Sequence, residues 1–339
     1  MKIHNKSINI LISYWLLIIL FLISLIIIVG GLTRLTDSGL SITRWELFSG
    51  IFPPLSDDKW NVYFNFYKQI PEFKLQNYSM NLEEFKIIFW WEYIHRLLGR
   101  LIGLIFIIPL IYFTLKDGIK INLKYYLIFL LICFQGFVGW FMVKSGLSEN
   151  TDVSHYRLSL HLSIAFVILS LTLWNYFKIS KIYSKVKKVP FYLPNLFVFI
   201  IFLQIIIGAF VSGIDAGQIY NTWPSMNGNY FPSDSSIKDL FKLSVFNEPS
   251  LVQFIHRNIA YLTIFIFGFI FYFIFKNKNL YYLKKTVVLI FFLLLFQVFL
   301  GVLTILYGAQ MFVASFHQIG SIFLISSSLY LLYKNTNFS

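Results

Sequence analysis

The sequence reads as an all-α integral membrane protein, with eight transmembrane helices forming two pseudo-symmetric four-helix bundles. Three observations lead there. Of 339 residues, 58% are hydrophobic, 20% aromatic and only 13% charged, with a mean hydropathy of +0.71. A soluble domain carries about 25% charged and about 45–50% apolar residues. So large an apolar excess cannot be hidden in one water-soluble core, which excludes a cytosolic enzyme, a disordered chain and a disulfide scaffold. Eight stretches also reach the roughly 20 apolar residues that a bilayer span requires. Finally, motifs of the first half return in order in the second.

The spans are read at 8–31, 89–115, 125–143, 156–177, 191–212, 251–275, 284–307 and 311–333. The first follows Lys2 and Lys6, as a signal peptide would. Its apolar run of about 22 residues outlasts a signal core of about 7–15, so it is an uncleaved helix. Between the spans, the connections alternate in charge. Lys2, Lys6, Lys116, Lys120, Lys124, the tract Lys178, Lys181, Lys185, Lys187 and Lys188, the tract Lys276, Lys278, Lys284 and Lys285, and Lys334 fall on one side with the single acid Asp117. Loops retained in the cytoplasm show this excess, so both termini are expected to be cytoplasmic. The same distribution disposes of nucleic acid as the reason for the net charge of +13: cations that bind a polyanion gather on one soluble face. The single cysteine, Cys133, lies in an apolar run and has no partner for a disulfide.

Two outer loops, 32–88 and 213–250, are long, and long loops in a compact protein tend to be functional. Trp45, Trp60, Phe66 and Tyr67 in the first predict short helices lying on the outer surface.

The internal repeat fixes the division. Gly30, Asp37, Gly39, Trp45 and Pro54 reappear 178 residues on as Gly208, Asp215, Gly217, Trp223 and Pro232. Ile94-His95-Arg96 answers Ile255-His256-Arg257, Phe134-Gln135 with Gly139 answers Phe296-Gln297 with Gly301, and His161 answers His317. Both copies start inside, so the repeat is parallel. It gives an N-terminal bundle over 1–180 and a C-terminal one over 181–339.

Four of the six histidines lie within spans. His95, His161, His256 and His317 sit in spans two, four, six and eight, all of which run inward, at about 9–12 Å below the outer surface by helical rise. Ionisable groups inside a membrane are costly and point to function. Paired across a bundle core at one depth, such imidazoles suit axial ligation of heme iron. The plainer reading is four hydrogen-bonded core histidines. Zinc is disfavoured, because no second ligand lies at metal-motif spacing. His4 in the tail and His155 at an outer helix start have no counterpart in the repeat. Arg96, Arg157 and Arg257 are placed to meet heme propionates.

The halves differ at one place. Glu92, on the face of His95, corresponds to Gln253, which cannot ionise. A carboxylate beside a heme edge can act as a base or hold developing positive charge, so the first bundle would do chemistry and the second relay electrons. The alternative is that Glu92 simply pairs with Arg96. Asp37 and Asp215, each two residues before a glycine, read as helix-ending turns. Gln135 and Gln297 are placed to hydrogen-bond between helices.

Taken together, Gly30-Gly31-Leu32-Thr33-Arg34-Leu35-Thr36-Asp37-Ser38-Gly39-Leu40-Ser41, Glu92-Tyr93-Ile94-His95-Arg96, Tyr156-Arg157-Leu158-Ser159-Leu160-His161-Leu162, Asp215-Ala216-Gly217, Asn221-Thr222-Trp223-Pro224, Gln253-Phe254-Ile255-His256-Arg257 and His317-Gln318 resemble the heme A synthase family. The resemblance covers nearly the whole chain. It implies oxidation of a ring methyl of heme O to a formyl group, giving heme A for cytochrome oxidase. It further implies His95 and His161 at the substrate heme, His256 and His317 on a heme b cofactor, and Glu92 as the catalytic residue. The partners it implies are heme O, membrane lipid, a heme O synthase and an electron-transfer protein, with homo-oligomers left open. A bacterial inner membrane, with the heme sites toward the outer side, follows. Lacking the outer-loop cysteine pair of some bacterial members, the chain is similar to the mitochondrial and proteobacterial subgroup. The rival readings are a di-heme cytochrome b that takes electrons from quinol, and a transporter of parallel repeats, which would bind no heme.

Overall fold

A computed structural model describes residues 6–46, 49–147, 151–180, 189–190 and 192–336. Lys2, His4, Lys181, Lys185, Lys187 and Lys188, on which part of the sequence reading rests, lie outside these. Among the described residues, eight helices are long and apolar enough to cross a membrane. The chain is therefore an all-α, multi-pass membrane protein.

The first span is α1 (Lys6–Leu35). Two short helices follow in the first long loop, α2 (Asp57–Tyr67) and α3 (Pro71–Leu75). The remaining spans are α4 (Leu82–Asp117), α5 (Ile119–Gly146), α6 (His155–Ile179), α7 (Tyr192–Gly213), α8 (Pro249–Lys276), α9 (Lys284–Leu306) and α10 (Met311–Thr336). The second long loop holds only short 3-10 turns, at Ala216–Gln218, Ile237–Phe241 and Leu243–Asn247.

The second span starts at Leu82, seven residues before the apolar run suggests. Asn81 caps it, accepting from the Glu84 amide at 3.0 Å, while the Glu84 carboxylate accepts from the Asn81 amide at 2.9 Å. This reciprocal box satisfies two of the amides that a helix start leaves open. Phe85 and Ile88 on the added turns, with Phe89, are buried against Trp60, Phe64, Tyr67 and Ile70 of the loop. The loop thus has its own apolar core, built on the outer end of α4.

Elsewhere the connections are tight. A single residue, Gly118, joins α4 to α5 at φ +87°, a conformation glycine takes without steric cost. After α1 and after α7 the chain turns at Asp37 (φ +46°) and Asp215 (φ +52°). Aspartate is among the few non-glycine residues that tolerate this left-handed region. The helix-ending turns read from sequence thus recur in backbone conformation as well as in residue type.

Packing divides the chain into two compact units, Met1–Thr172 and Leu173–Ser339. The boundary between these units falls within α6. In the first unit, Trp15 donates from its indole to the Ile105 carbonyl at 2.9 Å and packs on Phe106, Phe113 and Tyr125. In the second, α7 packs along α8 through Ile207, Phe210 and Val252. There the Asn335 amide also pairs with both backbone groups of Val189, at 2.8 and 3.1 Å.

Candidate functional site

In the first unit, His95 of α4 faces His161 of α6, with ring centroids 6.4 Å apart and planes inclined at 60°. In the second, His256 of α8 faces His317 of α10, at 6.5 Å and 74°. Two imidazole nitrogens on opposite sides of a shared metal, each about 2.0 Å from it, place their ring centroids about 6.3 Å apart. Both pairs are therefore spaced to hold one metal between them.

The chemistry of the donors narrows which metal. Among the described residues no three or more His, Cys, Asp or Glu side chains gather, so each pair is a two-ligand set. Structural zinc takes four protein ligands, whereas heme brings four nitrogens of its own and needs only axial partners. The Nδ1 atoms of His95, His161 and His256 are buried without a hydrogen-bond partner, and buried polar atoms rarely stay unpartnered. His317 Nδ1 lies 3.1 Å from the Gln297 carbonyl. Donating there directs Nε2 to a metal, the arrangement metal-binding histidines favour. The residues fit a heme in each unit, the second requiring that His256 Nε2 exchange its 3.1 Å contact with the Gln204 amide for iron.

The histidine-bearing helices are held from behind. Gln135 donates to the His161 carbonyl at 2.9 Å and Gln297 to the His317 carbonyl at 2.7 Å. These are the interhelical bonds the repeat suggested. Gln204, which the sequence reading passed over, donates to the His256 carbonyl at 3.0 Å and lies 3.1 Å from His256 Nε2. Its signal was available, as an amide in the middle of an apolar span. The residue at the matching place in the first half is Ile26, so this contact belongs to the second unit.

Glu92 is buried, and its two oxygens take four donors. Ser41 Oγ and the Ile42 amide reach Oε2 at 2.7 Å each, while Arg96 reaches Oε1 at 3.0 Å from Nε and 2.5 Å from its terminal nitrogen. Arg96 also donates to the Ile42 carbonyl at 2.8 Å and lies over the Trp45 ring. The pairing with Arg96 that sequence left as the alternative is thus present, and it fastens the loop after α1 to the helix turn carrying His95. In the second unit Arg257 has the same task without an ion pair. It donates to the carbonyls of Tyr220, Thr222 and Ser225 at 2.9, 3.0 and 3.3 Å, and to Gln253 Oε1 at 3.2 Å. Both arginines, expected at propionates, also donate to loop carbonyls. Arg157 donates to Ser145 and lies over the Phe141 ring at 4.6 Å. His155 packs against Tyr156, with centroids 4.5 Å apart and planes inclined at 38°. Beside the Glu92–Arg96 pair a cleft opens, lined among others by Arg44, Glu46, Tyr63 and Arg100.

Comparison with known proteins places these residues in context. A family model described as cytochrome oxidase assembly protein matches residues 13–329. A protein of Pelagibacter ubique named heme A synthase is 53% identical over 329 residues, covering 95% of this chain and 96% of that one. Proteins of the same name from Rickettsia bellii and Maricaulis maris are 45% and 41% identical, over 95% and 96% of this chain and 98% and 96% of theirs.

Proposed function

Because the chain belongs to the family of cytochrome oxidase assembly proteins, we propose that it makes heme A, oxidising a ring methyl of heme O to a formyl group by successive hydroxylations. The observation that carries this is the facing pair of imidazoles in each unit, 6.4 and 6.5 Å between centroids. Relatives named heme A synthase, matched over nearly their whole length, support heme A as the product.

In this reading, His95 and His161 hold the substrate heme, and His256 and His317 hold heme b as resident cofactor. When bound, heme b supplies one-electron transfer. The chain's own side chains do the rest. Glu92, on the helix turn before His95, takes up protons released from the methyl and offsets positive charge that develops there. Gln253 at the matching place cannot ionise, which supports oxidation in the first unit and relay in the second. Arg96 and Arg257 hold their loops against the sites, and they and Arg157 are the cations that would pair with propionates. The division at 1–180 and 181–339 then separates substrate bundle from cofactor bundle as a duplicated design. Both termini lie in the cytoplasm of a bacterial inner membrane, with the sites toward the outer side. A heme O synthase and an electron-transfer protein are the partners.

The test is direct. Purified after expression with a supply of heme O, the protein is expected to give the reduced-minus-oxidised spectrum of a bis-histidine heme, and extracted pigments to include heme A. Absence of heme from the folded protein overturns the ligand assignment. Bound heme b with no heme A formed favours the di-heme cytochrome b reading instead.

A further inference from the structure

Each of the four imidazoles rests on a glycine of the neighbouring span. A Cβ built on Gly30 would lie 2.8 Å from His95 Cε1; on Gly139, 2.9 Å from His161 Cε1; on Gly208, 3.1 Å from His256 Cε1; on Gly301, 3.0 Å from His317 Cε1. In all four the same ring edge leads, with Cε1 nearest, then Nδ1, then Nε2. Other glycines within the spans lack this relation. A Cβ on Gly103, Gly136 or Gly268 would meet nothing within 4 Å, and one on Gly99 would meet Ile26. The contact also follows the repeat, since Gly30 answers Gly208 and Gly139 answers Gly301. The repeating unit of the site is therefore smaller than a bundle: two successive spans, the first bringing a glycine and the second a histidine.

From this we propose that Gly30, Gly139, Gly208 and Gly301 are positioning residues for the heme ligands, setting the depth at which each imidazole stands off its own hairpin. The proposal rests on the histidine assignment above. Carbon atoms pack best at about 3.5–4.0 Å, so a methyl at these places would push the ring away by on the order of half an ångström. Metal–ligand distances are held to within about 0.2 Å. An imidazole so displaced turns out of line with the iron, or the hairpin opens and carries it off. Glycine elsewhere in a span is a liability for helix stability, and here the empty space above its Cα is what the ring occupies.

Gly208→Ala and Gly301→Ala test this at the cofactor site, with Gly103→Ala and Gly268→Ala as matched controls. Alanine has the higher helix propensity, so a loss of heme in the first two cannot come from a weakened helix. Both are expected to remain monodisperse in detergent while losing the low-spin bis-histidine band. Their heme affinity should fall about 10–100-fold, the range seen when residues that orient metal ligands are changed, and the midpoint potential of residual heme should shift. Gly30→Ala and Gly139→Ala should likewise retain less heme O on purification. An unmodified spectrum, affinity and potential in Gly208→Ala and Gly301→Ala overturns the proposal, as does an equal loss in the two controls. If the unsubstituted protein itself shows no bis-histidine heme, the ligand assignment fails, and that failure is distinguished from this one before any variant is made.

Discussion

Glu92 and Gln253 occupy matching turns of α4 and α8, and both accept from the arginine four residues on. The difference between them is one charge, which makes Glu92→Gln an informative substitution. Glutamine can still accept from Ser41 and Ile42, but it leaves the Arg96 guanidinium without its anion. Some loss of thermal stability is expected, since removing one partner of a buried pair costs about 3–5 kcal/mol when nothing replaces it. The decisive readout is a split: heme A absent from extracted pigments while the bis-histidine spectrum of the second unit persists. Arg257→Ala should behave differently. It frees the carbonyls of Tyr220, Thr222 and Ser225, so proteolysis within 214–248 should accelerate more than heme is lost. The imidazoles and the amides Gln135 and Gln297 were legible in the sequence because a polar residue inside a span is rare enough to stand out. The contacts of Arg96 and Arg257 with loop carbonyls were not. Whether a guanidinium beside the site turns to a ligand or to a loop carbonyl depends on where the loop runs, and no spacing within the helix encodes that.

The loop helices and the start of α4 form an element that can be probed separately. Asn81→Ala removes the cap and its half of the reciprocal box, at a cost of about 1 kcal/mol, visible as faster proteolysis near 76–84. Within the same cluster Glu72 is buried, accepting from the Tyr67 hydroxyl at 2.9 Å. Burial raises its carboxyl from the ordinary 4.5 to about 8. A raised acid is held neutral in the fold, so its contribution to stability is complete below about 4.5 and is lost as pH climbs through about 8. The protease resistance of 57–77 should therefore fall progressively between about pH 4.5 and pH 8 and level off above that, and Glu72→Gln should flatten that dependence. The aromatic residues of the loop announced short helices. The extension of α4 back to Leu82 was hidden because Glu83, Glu84 and Lys86 break the apolar run, and only the cluster around Trp60 and Phe85 explains why the helix begins among them.

For the chain as a membrane protein, span number and order were legible because a bilayer imposes length and apolarity on every crossing, and the eight helices follow the eight runs closely. The repeat was legible as blocks of residues. What it is for, a glycine under each ring, was not, because contacts between neighbouring helices depend on their facing rather than on sequence distance. The orientation proposed from lysine placement has a simple check. In a Cys133→Ser background, Leu243→Cys, at an exposed position, should react with a membrane-impermeant thiol reagent on intact spheroplasts. Lys278→Cys should react only after permeabilisation, and the reverse pattern would invert the topology.

The left-handed turns at Asp37 and Asp215 bear on how this gene can drift. One base change converts an aspartate codon to glycine or asparagine, which fit that backbone region, or to valine, whose branched side chain clashes there. At these two codons, tolerance of mutation should follow mirror-image backbone sterics and ignore hydropathy: the smallest and the amide-bearing replacements pass, and the oily one fails even though it borders a span.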